Sequence, residues 1–198
     1  MARTGKTQIS LDPQDPFVLD TRELGRRAGS QKELSWTAPA PEDLGIEVLA
    51  VPVGSPVALD VRLEAVLEGV LVTGTATAAL SGECVRCLIE LDEDLAARFQ
   101  ELFLYERPAD DDDEEQDLQV LDDDLLDLEP LLRDAVVLEL PFQPLCEEDC
   151  PGLCVECGAR MADDPDHDHE APIDPRWAAL TDLTPDRTAD ADPEKETP

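Results

Sequence analysis

Eight side chains in this 198-residue sequence are suited to holding metal. Cysteines stand at 84, 87, 146, 150, 154 and 157, and the only two histidines are His167 and His169. Cys84/Cys87 and Cys154/Cys157 are C-x-x-C pairs, a spacing at which one tight turn points two sulfurs at a single tetrahedral ion. Gly158 follows the second pair, where a glycine relieves backbone strain and lets amide N–H groups approach sulfur. Leu88 follows the first pair, which makes it the less typical knuckle. Eight ligands are enough for two closed, four-ligand structural zinc sites. The preferred grouping is Cys84, Cys87, Cys146 and Cys150 at one site, with Cys154, Cys157, His167 and His169 at the other. Two other groupings stay open. Cys146, Cys150, Cys154 and Cys157 could form one local site, or the two C-x-x-C pairs could share an ion, since spacing does not order cysteines in space.

Rival chemistries are weaker. No helix start follows Cys84/Cys87 to depress a thiol pKa, which argues against a thioredoxin-like redox pair. The His-Asp-His run could be an acidic loop with no ligand role. Glu170 could act as a general base only beside an open metal position, and two closed sites leave none.

The formal net charge is −33, from 48 acidic and 15 basic residues. Bare nucleic acid would be repelled by most of such a surface. Residues 1–40 are the exception, with six basic residues against five acidic ones. Arg22, Arg26, Arg27 and Lys32 gather there. They are expected to pair with the acidic body, and they are also the one surface suited to RNA phosphate or a partner. No apolar stretch opens the chain as a signal peptide would, and no run approaches the ~18 apolar residues of a membrane span. A cytoplasmic protein is expected, in which cysteines bind metal rather than pair as disulfides.

The elements that must position these ligands read as α+β. Residues 1–16 form a flexible lead-in, and 17–145 an α+β domain. Within it Phe17–Asp20 is a short strand, and Thr21 caps a helix through Arg27 that Gly29 ends. Pro39 and Pro41 mark a connector around Trp36. Ile46–Val51, Val57–Leu67, Val70–Leu80 and Leu88–Tyr105 read as strands of an antiparallel sheet or open barrel. In the second of these Val57, Leu59, Val61, Leu63 and Ala65 share one face, the period of two of a half-buried strand. Residues 109–117 are an acidic loop, and Leu118–Val120 a short strand. Asp127–Leu140 reads as a helix, with Leu128, Leu131, Leu132, Ala135, Val136 and Leu138 on one side. Residues 146–183 form a zinc-stapled segment packed on the same domain, with a short helix at Pro175–Leu183. Residues 184–198 are an acidic, disordered tail.

Three motifs then carry a resemblance. Glu83-Cys84-Val85-Arg86-Cys87-Leu88 resembles the C-x-R-C motif of the YceD family. Residues 141–157 (PFQPLCEEDCPGLCVEC) with Gly158 resemble the second signature of its Gram-positive and actinobacterial members. Asp174-Pro175-Arg176-Trp177-Ala178-Ala179-Leu180 resembles its C-terminal D-P-R-x-x-x-L element. The likeness runs from about Phe17 to Leu183. Many relatives have C-x-C where this chain has His167-Asp168-His169, and histidine can replace cysteine on zinc.

The resemblance implies a role in accumulation or processing of large-subunit ribosomal RNA. Genes of this family often neighbour that of a small basic protein of the large subunit. It implies no catalytic residues. The expected protein is an accessory factor acting by binding, not an enzyme. Its expected partner is a large ribosomal subunit precursor, met through a basic ribosomal protein, with rRNA contact possible and no membrane or small-molecule substrate. The alternatives are a zinc-dependent or thiol-based enzyme acting on RNA, and a generic acidic interaction module.

Overall fold

The computed structural model describes residues 11–107, 118–169 and 176. The elements in chain order are β1 (Val18–Asp20), β2 (Gln31–Pro39), β3 (Gly45–Ile46), β4 (Leu49–Ala50), β5 (Pro56–Ala65), β6 (Gly69–Glu83), β7 (Glu90–Leu104), β8 (Leu125–Asp127) and α1 (Glu129–Glu139). Two compact units divide between Gly152 and Leu153, and all of these elements lie in the first.

Alternation of apolar and polar residues builds the main sheet. β2, β5, β6 and β7 pair antiparallel in that order. The register sets Leu59 against Ala76, and Ala76 against Ala97. Val57, Leu59, Val61, Leu63 and Ala65 are all buried, as are Val70, Val72, Ala76 and Leu80 of β6 and Leu95, Ala97, Phe99 and Phe103 of β7. Each such Val, Leu or Phe contributes roughly 1.5–3 kcal/mol relative to exposure. The opposite face carries Ser35, Asp60, Arg62, Thr73, Thr75, Arg98 and Gln100, as an antiparallel sheet with one solvated side should.

One edge of β6 is shared. Val70–Thr77 pairs with β5, and Ser81 and Gly82 pair with the small β3–β4 hairpin. The other edge is taken by β7 along its whole length. β6 and β7 therefore run side by side to the turn that holds Cys84 and Cys87.

α1 covers β7 and β3. Leu132, Ala135 and Val136 form its buried side. Pro130 stands in the first turn, and the Asp127 carboxylate accepts from the Glu129 amide in place of a conventional cap. Leu140 is extended because Pro141 follows it, and the helix stops there. Leu138, expected on the apolar side, is instead 85% exposed.

The expected N-terminal helix is absent. Thr21–Gly25 makes a single turn, with the Leu24 and Gly25 amides donating to the Thr21 carbonyl. Gly25 takes a φ of 68° and ends it at once. The Thr21 hydroxyl, which would have capped a helix, donates to the Asp124 carbonyl across the chain at 2.8 Å. A run this short cannot offset helix nucleation without a cap or a buried face.

Other expectations shift in detail. The connector around Trp36 is strand β2, and Ile46–Val51 is a hairpin of two very short strands. Leu118–Val120 contributes only an isolated bridge, Val120 to Leu104. β1 pairs with β8, a strand the sequence did not suggest. The acidic loop, the helix expected at 175–183, the tail and most of the lead-in lie outside the described residues.

Candidate metal centres

The end of β6 turns directly into the first knuckle. The Cys84 amide donates to the Ile89 carbonyl and the Leu88 amide to the Cys84 carbonyl, both at 2.9 Å. The second knuckle repeats this pattern: Cys154 N to Ala159 O at 2.7 Å, and Gly158 N to Cys154 O at 2.9 Å. The fourth residue after the leading cysteine is left-handed in both, with φ of 57° at Leu88 and 73° at Gly158. Leu88 thus adopts the conformation that glycine takes in the second knuckle.

Across from the first knuckle, the segment after α1 supplies two more sulfurs. The Val85 amide donates to Pro144 O at 3.0 Å, and the Arg86 guanidinium donates to Cys150 O at 3.0 Å. Cys84 and Cys150 sulfurs lie 3.8 Å apart, and those of Cys87 and Cys146 lie 3.6 Å apart. All four ligand atoms fall within 4.8 Å of one another. Tetrahedral bonds of ~2.3 Å would space four sulfurs ~3.8 Å apart, so this set fits one ion. Cys84, Cys87 and Cys150 are buried and Cys146 is exposed.

Cys154, Cys157, His167 and His169 form the second set, again within 4.8 Å. Cys157 Sγ lies 3.2 Å from His167 Nε2 and 3.3 Å from His169 Nε2, and the two Nε2 atoms are 2.9 Å apart. The far nitrogens face carboxylates: His167 Nδ1 is 3.8 Å from Asp164, and His169 Nδ1 is 3.6 Å from Glu156. A carboxylate behind an imidazole whose other nitrogen faces a thiolate cluster is the usual support of a metal ligand. No residue from Leu153 to His169 is buried, so apolar packing cannot hold this hairpin together.

The thiols are strongly perturbed. Burial pushes Cys84 up, but the amides of Cys146, Cys87 and Arg86 outweigh it and bring the thiol down to about 6. The amides of Cys157 and Glu156 likewise lower Cys154 to about 6. Crowding by the sulfurs of Cys150 and Cys87 pushes Cys146 up to about 12, and burial raises Cys150. No helix start lowers the Cys84 or Cys154 thiol. The knuckle amides do so instead.

The remaining sequence-derived candidates lie apart from the metal ligands. Arg22 pairs with Asp20 at 3.2 Å and Lys32 with Glu23 at 2.6 Å. Arg26 pairs with Asp124 at 3.0 Å and stacks over the Tyr105 ring at 4.8 Å. Arg27 is exposed. Glu170 lies outside the described residues. No helix among the described residues is long and apolar enough to cross a membrane.

Among the described residues, an antiparallel sheet with one helix ends in a cysteine knuckle, and two four-ligand sets able to hold metal ions define the class of protein. The family model described as large ribosomal RNA subunit accumulation protein YceD matches residues 72–184, and the chain belongs to that family. An uncharacterized protein of Mycobacterium tuberculosis is 46% identical over 184 residues, covering 92% of this chain and 88% of its own length. One of Mycobacterium leprae is 44% identical, covering 86% and 79%. The uncharacterized protein YlbN of Bacillus subtilis is 31% identical over 52% of this chain and 62% of its own. No solved structure matches the chain.

Proposed function

We propose that this chain is a cytoplasmic accessory factor for accumulation or processing of large-subunit ribosomal RNA, acting by binding within precursors of the large subunit. The family match over residues 72–184 carries this reading. The geometry supports a binding role over an enzymatic one, because each ligand set supplies four donors and a closed site has no position for substrate. Zinc is the ion that suits closed sets of thiolate and imidazole, and its role here is structural. A chain of net charge −33 favours contact with a basic ribosomal protein over bare RNA. In the same direction, Arg22, Arg26 and Lys32 are already paired with carboxylates.

The test is sedimentation of the tagged native protein through a gradient of cell lysate, with rRNA precursors probed after depletion. Co-migration with free or immature large subunits and loss of mature large-subunit rRNA are expected. Migration only as a small free species, with normal rRNA, would remove the ribosomal reading. Thiol titration of the zinc-loaded protein checks the non-enzymatic part, with few or no reactive cysteines expected before a chelator is added.

A further inference from the structure

Four non-glycine residues among those described have positive φ. Asp43, Asp123 and Asp124 are of the short polar type that tolerates this conformation. Leu88, at φ 57°, is not. A left-handed backbone is costly for leucine, and glycine takes the equivalent position in the second knuckle. The fold gives little packing in return, since the Leu88 side chain is 54% exposed. The knuckle turn sets this φ, so what packing leaves unaccounted for is leucine rather than glycine at the position, and that choice points to a role outside the fold.

Leu88 does not stand alone. Val85 and Ile89 of the same knuckle are 38% and 40% exposed. The Val85 amide is bonded to Pro144, two residues beyond Phe142, whose side chain is fully exposed. Val85, Leu88 and Ile89 are thus exposed on the turn that follows β6, and Phe142 on the segment bonded to that turn. Exposed apolar side chains gathered on one turn and its bonded segment, on a strongly charged surface, mark an interaction site. Its borders are acidic: Glu83 and Glu90 flank the knuckle, and Glu147, Glu148 and Asp149 follow Cys146, all exposed.

We infer that this turn and its bonded segment are a docking surface for a cationic polypeptide segment bearing apolar side chains, with Leu88 and Phe142 as its anchors. The inference rests on the reading above and deepens it: the occupant is a basic protein of the large subunit. The apolar centre suits side chains, and the carboxylate border suits lysine and arginine while repelling RNA phosphate.

The experiment immobilises the full-length, zinc-loaded chain as wild type, Leu88→Gly and Phe142→Ser. Two probes are passed over it separately: the protein fraction extracted from purified large ribosomal subunits, and purified large-subunit rRNA. The wild type is expected to retain a basic protein identifiable by mass, and both variants to lose at least about tenfold in affinity for it. Leu88→Gly is expected to keep its zinc and to melt no lower than wild type, because strain is relieved. A purely structural leucine would not separate stability from binding in this way. Equal retention by all three proteins overturns the surface and leaves the ribosomal reading intact. Retention of rRNA instead of protein also overturns it. If the wild type retains neither probe the surface is again wrong, and the sedimentation test alone then decides the function.

Discussion

Cysteine ionisation gives the metal sites a particular pH response. With a thiol at about 6, Cys84 is already largely thiolate at neutral pH, whereas Cys146, at about 12, still holds its proton. Metal binds thiolate, so loading the first set must expel protons from Cys146 and from Cys150, whose pKa is also raised. Protons compete with metal, and affinity falls as pH falls. Below about 6 Cys84 becomes protonated too, and the slope of log affinity against pH should steepen by about one further proton. Competition titration with a chromophoric chelator across this range checks it, and a pH-independent affinity would show that the thiols do not ligate. Substitution separates the two sets. Cys84→Ser leaves the sulfurs of Cys87, Cys146 and Cys150 short of a partner and should both lose one metal equivalent and lower the melting point of the sheet. Cys154→Ser should also lose one equivalent, unfolding the hairpin that has no buried residue of its own. A zinc-replete, undiminished Cys84→Ser protein would dissolve the first set.

At the scale of elements, the strands with clean alternation were legible in the sequence. β5 shows Val57 to Ala65 as one face, and that face is the core. β2 was missed because it is a partly exposed edge: Lys32, Leu34 and Trp36 are only half-buried on its inner side, and Pro39 reads as a breaker. Proline is tolerated there because one side of an edge strand needs no ladder bond. The helix expected at Thr21 failed because its cap hydroxyl is used by a tertiary bond to Asp124. No local pattern announces such a bond. The same limit applied to the ligands. Their number and type were plain from the sequence, but their grouping depends on the turn after β6 meeting the segment after α1. α1 earned its place by three-to-four spacing, and its buried Leu132 tests its packing against β7. Leu132→Ala should destabilise the first unit by about 3 kcal/mol in denaturant unfolding, with the second hairpin's metal unaffected. Leu138→Ala, at an 85% exposed position of the same helix, should change stability by less than about 0.5 kcal/mol.

For the whole molecule, charge and topology act together. A net charge of −33 opposes compaction, and its contribution weakens as salt screens it. Raising salt from about 0.05 M to 1 M should therefore raise the melting temperature of the zinc-loaded protein, while weakening any contact with a basic partner. Opposite salt trends for stability and binding would distinguish electrostatic docking from hydrophobic association. The first ligand set has a mechanical consequence as well. Its outermost ligands, Cys84 and Cys150, are 66 residues apart, and β7, β8 and α1 all lie between them. With an ion on that set the chain is a closed ring at this point, and tension applied through its ends passes across metal–sulfur bonds. About 230 Å of contour would then stay hidden in a pulling experiment at ~3.5 Å per residue, to be released in one step when the ion leaves.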